Sequence, residues 1–124
     1  MKLNPECVRA ILLTVEEITE PNVFARFGKD INHENLSNYP YQEVLYHLRQ
    51  CDYSGLFIKA SFYYGGECTV LDLSPKGHEF LSNIRSDKNW NTIKERAKSI
   101  GSFGLDVLSQ IASQVIAELI TGKS

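Results

Sequence analysis

The feature that most restricts the fold is a hairpin signal set in the middle of a helical pattern. Leu56 to Tyr63 is rich in aromatic and β-branched residues, and Glu67 to Leu73 is a second run of strand type. Tyr64-Gly65-Gly66 between them supplies the turn glycines. The stretches on either side read as helices, so the hairpin is expected to cover an open side of a small helical core.

Those helices announce themselves by caps and spacing. Asn4 is placed to cap a helix whose first residue is Pro5, where the missing N–H costs nothing. Val8, Ile11, Leu12, Val15 and Ile18 then recur at helical intervals, and Glu20-Pro21-Asn22 ends the run. Val23 to Phe27 reads as a short strand, Gly28 to Asn32 as a turn, and Asn32 to Leu36 as a brief helix. A helix over 40–53 carries Val44, Leu45, Leu48 and Cys51 on its apolar stripe and stops at Ser54-Gly55. After the hairpin, Ser74-Pro75 repeats the cap-and-proline start, with Phe80, Leu81 and Ile84 inward. A helix over 89–100 carries Trp90, Ile93 and Ala97 and breaks at Gly101-Ser102. The last helix spans 103–121 and has an unusually wide apolar sector.

Helix, short strand, helix, helix, hairpin and further helices is the order of a winged helix. The expected fold is therefore α+β and mainly helical. A winged-helix core with a β-hairpin wing occupies 1–86, and a helical C-terminal extension, 87–124, packs on it as part of one domain. Leu12, Val15, Leu45, Leu48, Ile58 and Val70 are expected to be buried together. The chain's 124 residues suffice for such a core without a metal or disulfide staple. At 43% hydrophobic and 23% charged residues, extensive disorder is not expected.

Cys7, Cys51 and Cys68 are odd in number and widely spaced, which speaks for free thiols and a reducing cytoplasm. No apolar leader follows Met1, and no apolar run is long enough for a membrane span. The expected location is cytoplasmic, with no membrane partner.

Three stretches carry a family resemblance. They are Met1-Lys2-Leu3-Asn4-Pro5-Glu6-Cys7-Val8-Arg9, Tyr46-His47-Leu48-Arg49-Gln50-Cys51 closing with Ser54-Gly55-Leu56, and Leu73-Ser74-Pro75-Lys76-Gly77-His78-Glu79-Phe80-Leu81-Ser82-Asn83-Ile84-Arg85 followed by Trp90 and Lys94. Together they resemble the bacterial and prophage family called domain of unknown function 2513. The resemblance implies a bacterial or phage origin and carries no activity or functional residue with it.

Candidate sites are few. His47, Cys51, Cys68 and His78 could be drawn as a zinc set, but no close Cys pair supports it, and both thiols suit apolar positions. No metal and no cofactor are expected. There is no phosphate loop, dinucleotide fingerprint, zinc-protease motif or nucleophile elbow, and His78 and Glu79 point about 100° apart on a helix. No enzyme is expected. Nucleic-acid contact would fall to Gln42, Tyr46, Arg49 and Gln50 on the 40–53 helix and Lys59 on the wing, since Gln and Arg pair with base edges. The net charge of −2 gives that reading a thin supply of cations. Residues 76–98 hold six Lys and Arg against three acids, which reads as a solvated helix surface. Leu108, Ile111, Ala112, Val115, Ile116 and Leu119 form a face suited to a second copy of the chain or to its own core. Two roles stay open: a DNA-binding or regulatory protein of phage type, and a protein-interaction module of winged-helix shape. The partner is then duplex DNA or a protein, with a homodimer through the last helix as a further expectation.

Overall fold

A computed structural model of the protein describes residues 1–122. The chain divides into two compact units, Met1–His78 and Glu79–Ser124. Among the described residues the fold is α+β and mainly helical, with five α-helices and one three-stranded antiparallel sheet.

Helix α1 (Pro5–Ile18) starts as its sequence requires. The Asn4 side chain accepts from the Glu6 N–H, and Pro5 takes the first helical position. The chain then reverses over Glu20-Pro21-Asn22-Val23, with Asn22 at φ +69° and Val23 N–H donating to Glu20 O at 2.8 Å. Pro followed by a left-handed Asn is the composition of a type II turn. Strand β1 (Ala25–Phe27) follows, two residues shorter than the sequence suggests, and then a short 3₁₀ helix (Glu34–Leu36). Helix α2 (Tyr41–Tyr53) leads into strands β2 (Phe57–Phe62) and β3 (Cys68–Leu73). The sheet order is β1-β3-β2, so the first strand pairs with the far arm of the hairpin. Helix α1 packs on α2, β1 and β3, and α2 packs on β2. Leu12, Val15, Leu48 and Val70 are buried as expected.

Two members of the expected core differ. Leu45 is only half-buried, and Ile58 is 40% exposed. The cause for Ile58 is the backbone of Lys59, which sits at φ +49°. β2 pairs Phe57 with Leu73 and Ile58 with Asp72, then resumes with Ala60 on Val70 and Phe62 on Cys68; Lys59 is the interruption. Unbroken alternation back from Phe62 and Ala60 would turn Ile58 inward. The break at Lys59 hands that place to Phe57, which is buried with its partner Leu73. A side chain in the left-handed region costs about 1–2 kcal/mol. Lys59→Gly should therefore raise stability by about 0.5–1 kcal/mol after allowing for glycine's extra unfolded freedom. Lys59→Val, β-branched and worse suited to positive φ, should lower it. The urea midpoint of each variant checks the sign.

Helix α3 (Pro75–Ile84) begins in the first unit and ends in the second. Ser74 caps it, accepting from Gly77 N–H at 3.0 Å while donating to Gly55 O at 2.6 Å. Lys76 Nζ donates to Ser54 O at 3.0 Å, covering a carbonyl at the end of α2.

In the second unit, α4 (Asp87–Ile100) packs on α5 (Leu105–Thr121). Ser86 caps α4 by accepting from Asn89 N–H, which moves the start two residues ahead of the sequence expectation. Gly101, at φ +87°, closes it with its N–H on Ala97 O. Trp90, Ile93 and Ala97 are buried as expected. Arg96 meets Glu118 as a two-pronged pair, 3.0 and 2.5 Å, which ties α4 to α5 at the surface.

Candidate recognition surface

α2 and the β2–β3 hairpin carry the residues at which the sequence placed nucleic-acid contact. Gln42 and Arg49 are exposed on α2, and Tyr46 and Gln50 are half-buried. Gln42, Tyr46, Arg49 and Tyr53 follow at steps of four, three and four, so they form one stripe. Gln50 lies about 100° around from Arg49. Lys59 is exposed on β2.

Two contacts fasten the hairpin along the helix. Tyr41 Oη, on the first residue of α2, donates to Gly66 O in the turn at 2.6 Å. Arg49 lies over the ring of Phe62, 4.6 Å from its centroid. The hairpin is thus held to α2 at two places, through its turn at Tyr41 and through Phe62 at Arg49. Tyr41 and Phe62 carry this arrangement and were not among the residues singled out from the sequence. No local pattern distinguishes them, because their partners lie in another element.

The exposed residues of α2 and the hairpin include several tyrosines and few cations. Tyr53 is exposed, and Tyr64 at the hairpin tip is fully so; Tyr63, also exposed, meets Thr69 at 3.3 Å on the sheet face opposite Phe62. Arg49 and Lys59 stand against Glu43, Asp52 and Glu67 on the same elements, and residues 1–78 hold seven Lys and Arg against ten Asp and Glu. Burial pushes the Tyr41 hydroxyl up to about 12, with Cys68 and Glu67 adding to it, so it stays a proton donor across the neutral range.

The residues considered for zinc are dispersed in role. His47 is fully buried; its Nε2 accepts from Asn4 N–H at 2.7 Å, and its Nδ1 pairs with Glu43 O at 2.8 Å. His78 faces Asp72 at 3.5 Å, near the hairpin. Cys7, Cys51 and Cys68 are all buried and free. Burial pushes Cys7 and Cys68 up to about 12, with Glu43 reinforcing the first and Asp52 the second; Cys51 is pushed up as well, again chiefly by burial. A thiol held this far above neutrality has almost no thiolate to react. The folded protein should release next to no colour from a disulfide reagent at pH 8, and three thiols per chain once denaturant is added.

Leu108, Ile111, Ala112 and Val115 of α5 are buried within the chain itself. Ile116 is half-buried and Leu119 is 56% exposed, beside Ile120 at 80%. A second copy would thus meet only the last turns of the apolar face expected from the sequence. Among the described residues no helix is long and apolar enough to cross a membrane.

A family model described as "Hypothetical protein (DUF2513)" matches residues 2–103. The chain belongs to the DUF2513 family. The matched span takes in α1 through α4 and ends just before α5, so the whole α2–hairpin surface lies inside the DUF2513 region. The chain is also similar to an uncharacterized protein of Haemophilus influenzae, 27% identical over 97% of this chain and 99% of that one. No solved structure matches it.

Proposed function

We propose that residues 1–86 are a winged helix, with 87–124 as its helical extension, and that α2 and the hairpin recognise a protein partner without catalysis or cofactor. The order of elements and the pairing of β1 on β3 support the winged-helix part. The observation that carries the functional part is the composition of the α2 stripe. Half-buried Tyr46 with exposed Arg49 and Tyr53 are the residue types that dominate protein-binding hot spots, and Tyr64 is exposed at the hairpin tip. Cations able to meet phosphate are outnumbered there, and phosphate contacts dominate non-specific DNA affinity.

Duplex DNA is the second reading, that of a DNA-binding regulator. It is favoured by Gln42 and Arg49, which are both exposed on one stripe and suited to base edges. Anisotropy of a labelled random duplex at low salt separates the two. The protein reading expects no salt-sensitive binding. A photo-crosslinking residue at position 46, in the native host, should then capture a protein, and Arg49→Glu should abolish the capture. Salt-sensitive duplex binding would favour DNA instead. In that case Arg49→Ala should relax sequence preference, and Lys59→Ala should weaken all sequences alike.

A further inference from the structure

Beside the recognition surface, the end of β1, the 3₁₀ helix and the first turns of α2 enclose a groove of two adjoining cavities. The larger, about 280 Å³, is walled mainly by Phe27, Ile31, Leu36, Val44, Tyr39 and Tyr41. Drug-sized ligands occupy pockets from about 300 Å³ upward, so this one suits a single bulky side chain. The smaller, about 230 Å³, shares Asn32, His33 and Glu34 with it and adds Thr14, Glu17, Ile18 and Asn35. Its lining holds two carboxylates and no cation; Lys29 lines only the apolar cavity. Glu17 lies in the last turn of α1, whose carbonyl end also favours positive charge.

The wall between the cavities is held in place. His33 Nε2 pairs with Arg26 O at 2.7 Å, and its ring lies 5.0 Å from that of Phe27. Asn35 Nδ2 donates to Glu17 Oε2 at 3.3 Å, fixing the carboxylate at the rim. A groove formed before binding loses less entropy on occupation.

We propose that this groove takes a segment of a partner protein in which a bulky apolar residue is followed by Lys or Arg. The apolar side chain fills the larger cavity and the cation lies against Glu17 and Glu34. The proposal rests on a protein partner but uses residues apart from the α2 stripe, so the crosslink at position 46 and the test below fail separately.

The test titrates short glycine-flanked peptides into the isotope-labelled full chain and follows its amide NMR spectrum. A Phe-Lys peptide should shift the amides of Gly28, Ile31, His33 and Leu36. Phe-Glu and Ala-Lys peptides should bind about tenfold more weakly or less, a difference of about 1.4 kcal/mol. Glu17 and Glu34 are exposed, so Glu17→Lys with Glu34→Lys should keep the folded spectrum and reverse the preference toward Phe-Glu. Equal binding of acidic and basic peptides, shifts confined to other residues, or no shift at millimolar peptide would overturn the proposal. So would a folded double variant with unchanged preference.

Discussion

Gly77→Ala is expected to lower stability by about 3 kcal/mol, the opposite of what its place in a helix suggests. Replacing glycine by alanine inside a helix ordinarily gains about 1 kcal/mol. Here a Cβ on Gly77 would lie 2.2 Å from Leu56 O, 3.1 Å from Leu56 C and 3.3 Å from Leu73 Cβ. Backbone cannot swing aside as a side chain can, and this carbonyl already accepts from Ser74 N–H at 2.9 Å. Leu56 N–H is in turn held by Cys51 O at 3.0 Å, which anchors the segment from its other side. Relief requires α3 to move away from Leu56. That strains the Ser74 cap, whose hydroxyl bridges Gly77 N–H and Gly55 O. Overpacking costs about 1–3 kcal/mol and sometimes more, and a disturbed hydrogen bond adds about 1 kcal/mol. Set against a typical stability of about 5–15 kcal/mol, the loss should lower the melting temperature by on the order of 10 °C. Gly65→Ala is the control: no neighbouring atom lies within 4 Å of the added carbon, and the backbone there is not left-handed. It should stay within about 0.5 kcal/mol of the natural chain. A Gly77→Ala variant as stable as the natural chain would show that the close approach is not maintained in solution.

The contrast between Ser74-Pro75 and Gly77 marks how far the sequence could be read. Caps, prolines and glycine stops act within four residues of themselves, so Asn4, Ser74, Gly101 and the Gly65-Gly66 turn placed their elements to within two residues. The α2 stripe was legible for the same reason, since helical spacing alone puts Gln42, Tyr46 and Arg49 together. What was not legible depends on distant partners. Gly77 reads as a poor helix former until Leu56 O is found against it. Lys59 reads as an ordinary strand residue, and only its backbone angle explains why Phe57 rather than Ile58 turns inward. Leu119 and Leu108 look alike along the apolar face of α5, yet one is exposed and the other buried, because helical periodicity fixes a face without saying how far along the partner surface extends. The groove beside the 3₁₀ helix was invisible for a related reason. It is lined from four different segments, through the stretch of chain with the weakest periodicity.

His47 stands out in the sequence only by its distance of four from Cys51, and nothing local marks its partner. The structure uses it to join α1 to α2 across 43 residues. Nε2 accepts from Asn4 N–H, just before α1, so Nδ1 carries the proton and donates to Glu43 O within α2. Asn4 is also the cap that starts α1, its side chain accepting from Glu6 N–H and its carbonyl accepting from Cys7 and Val8 N–H. A single imidazole therefore secures the residue from which the first helix begins. His47→Ala removes a fully buried ring and leaves Asn4 N–H without its acceptor. A large-to-small core change costs about 2–5 kcal/mol and an orphaned buried donor about 1–3 kcal/mol. The two overlap in part, so the expected loss is about 4 kcal/mol. His47→Phe keeps most of the volume and removes only the polar partners, and should cost about 2 kcal/mol. Urea unfolding of both variants separates packing from hydrogen bonding, and amide exchange adds the location. In His47→Phe the amides of Asn4 to Val8 should lose protection while those of α4 keep theirs. A variant that loses stability with the first turn of α1 still protected would place the role of His47 in packing alone.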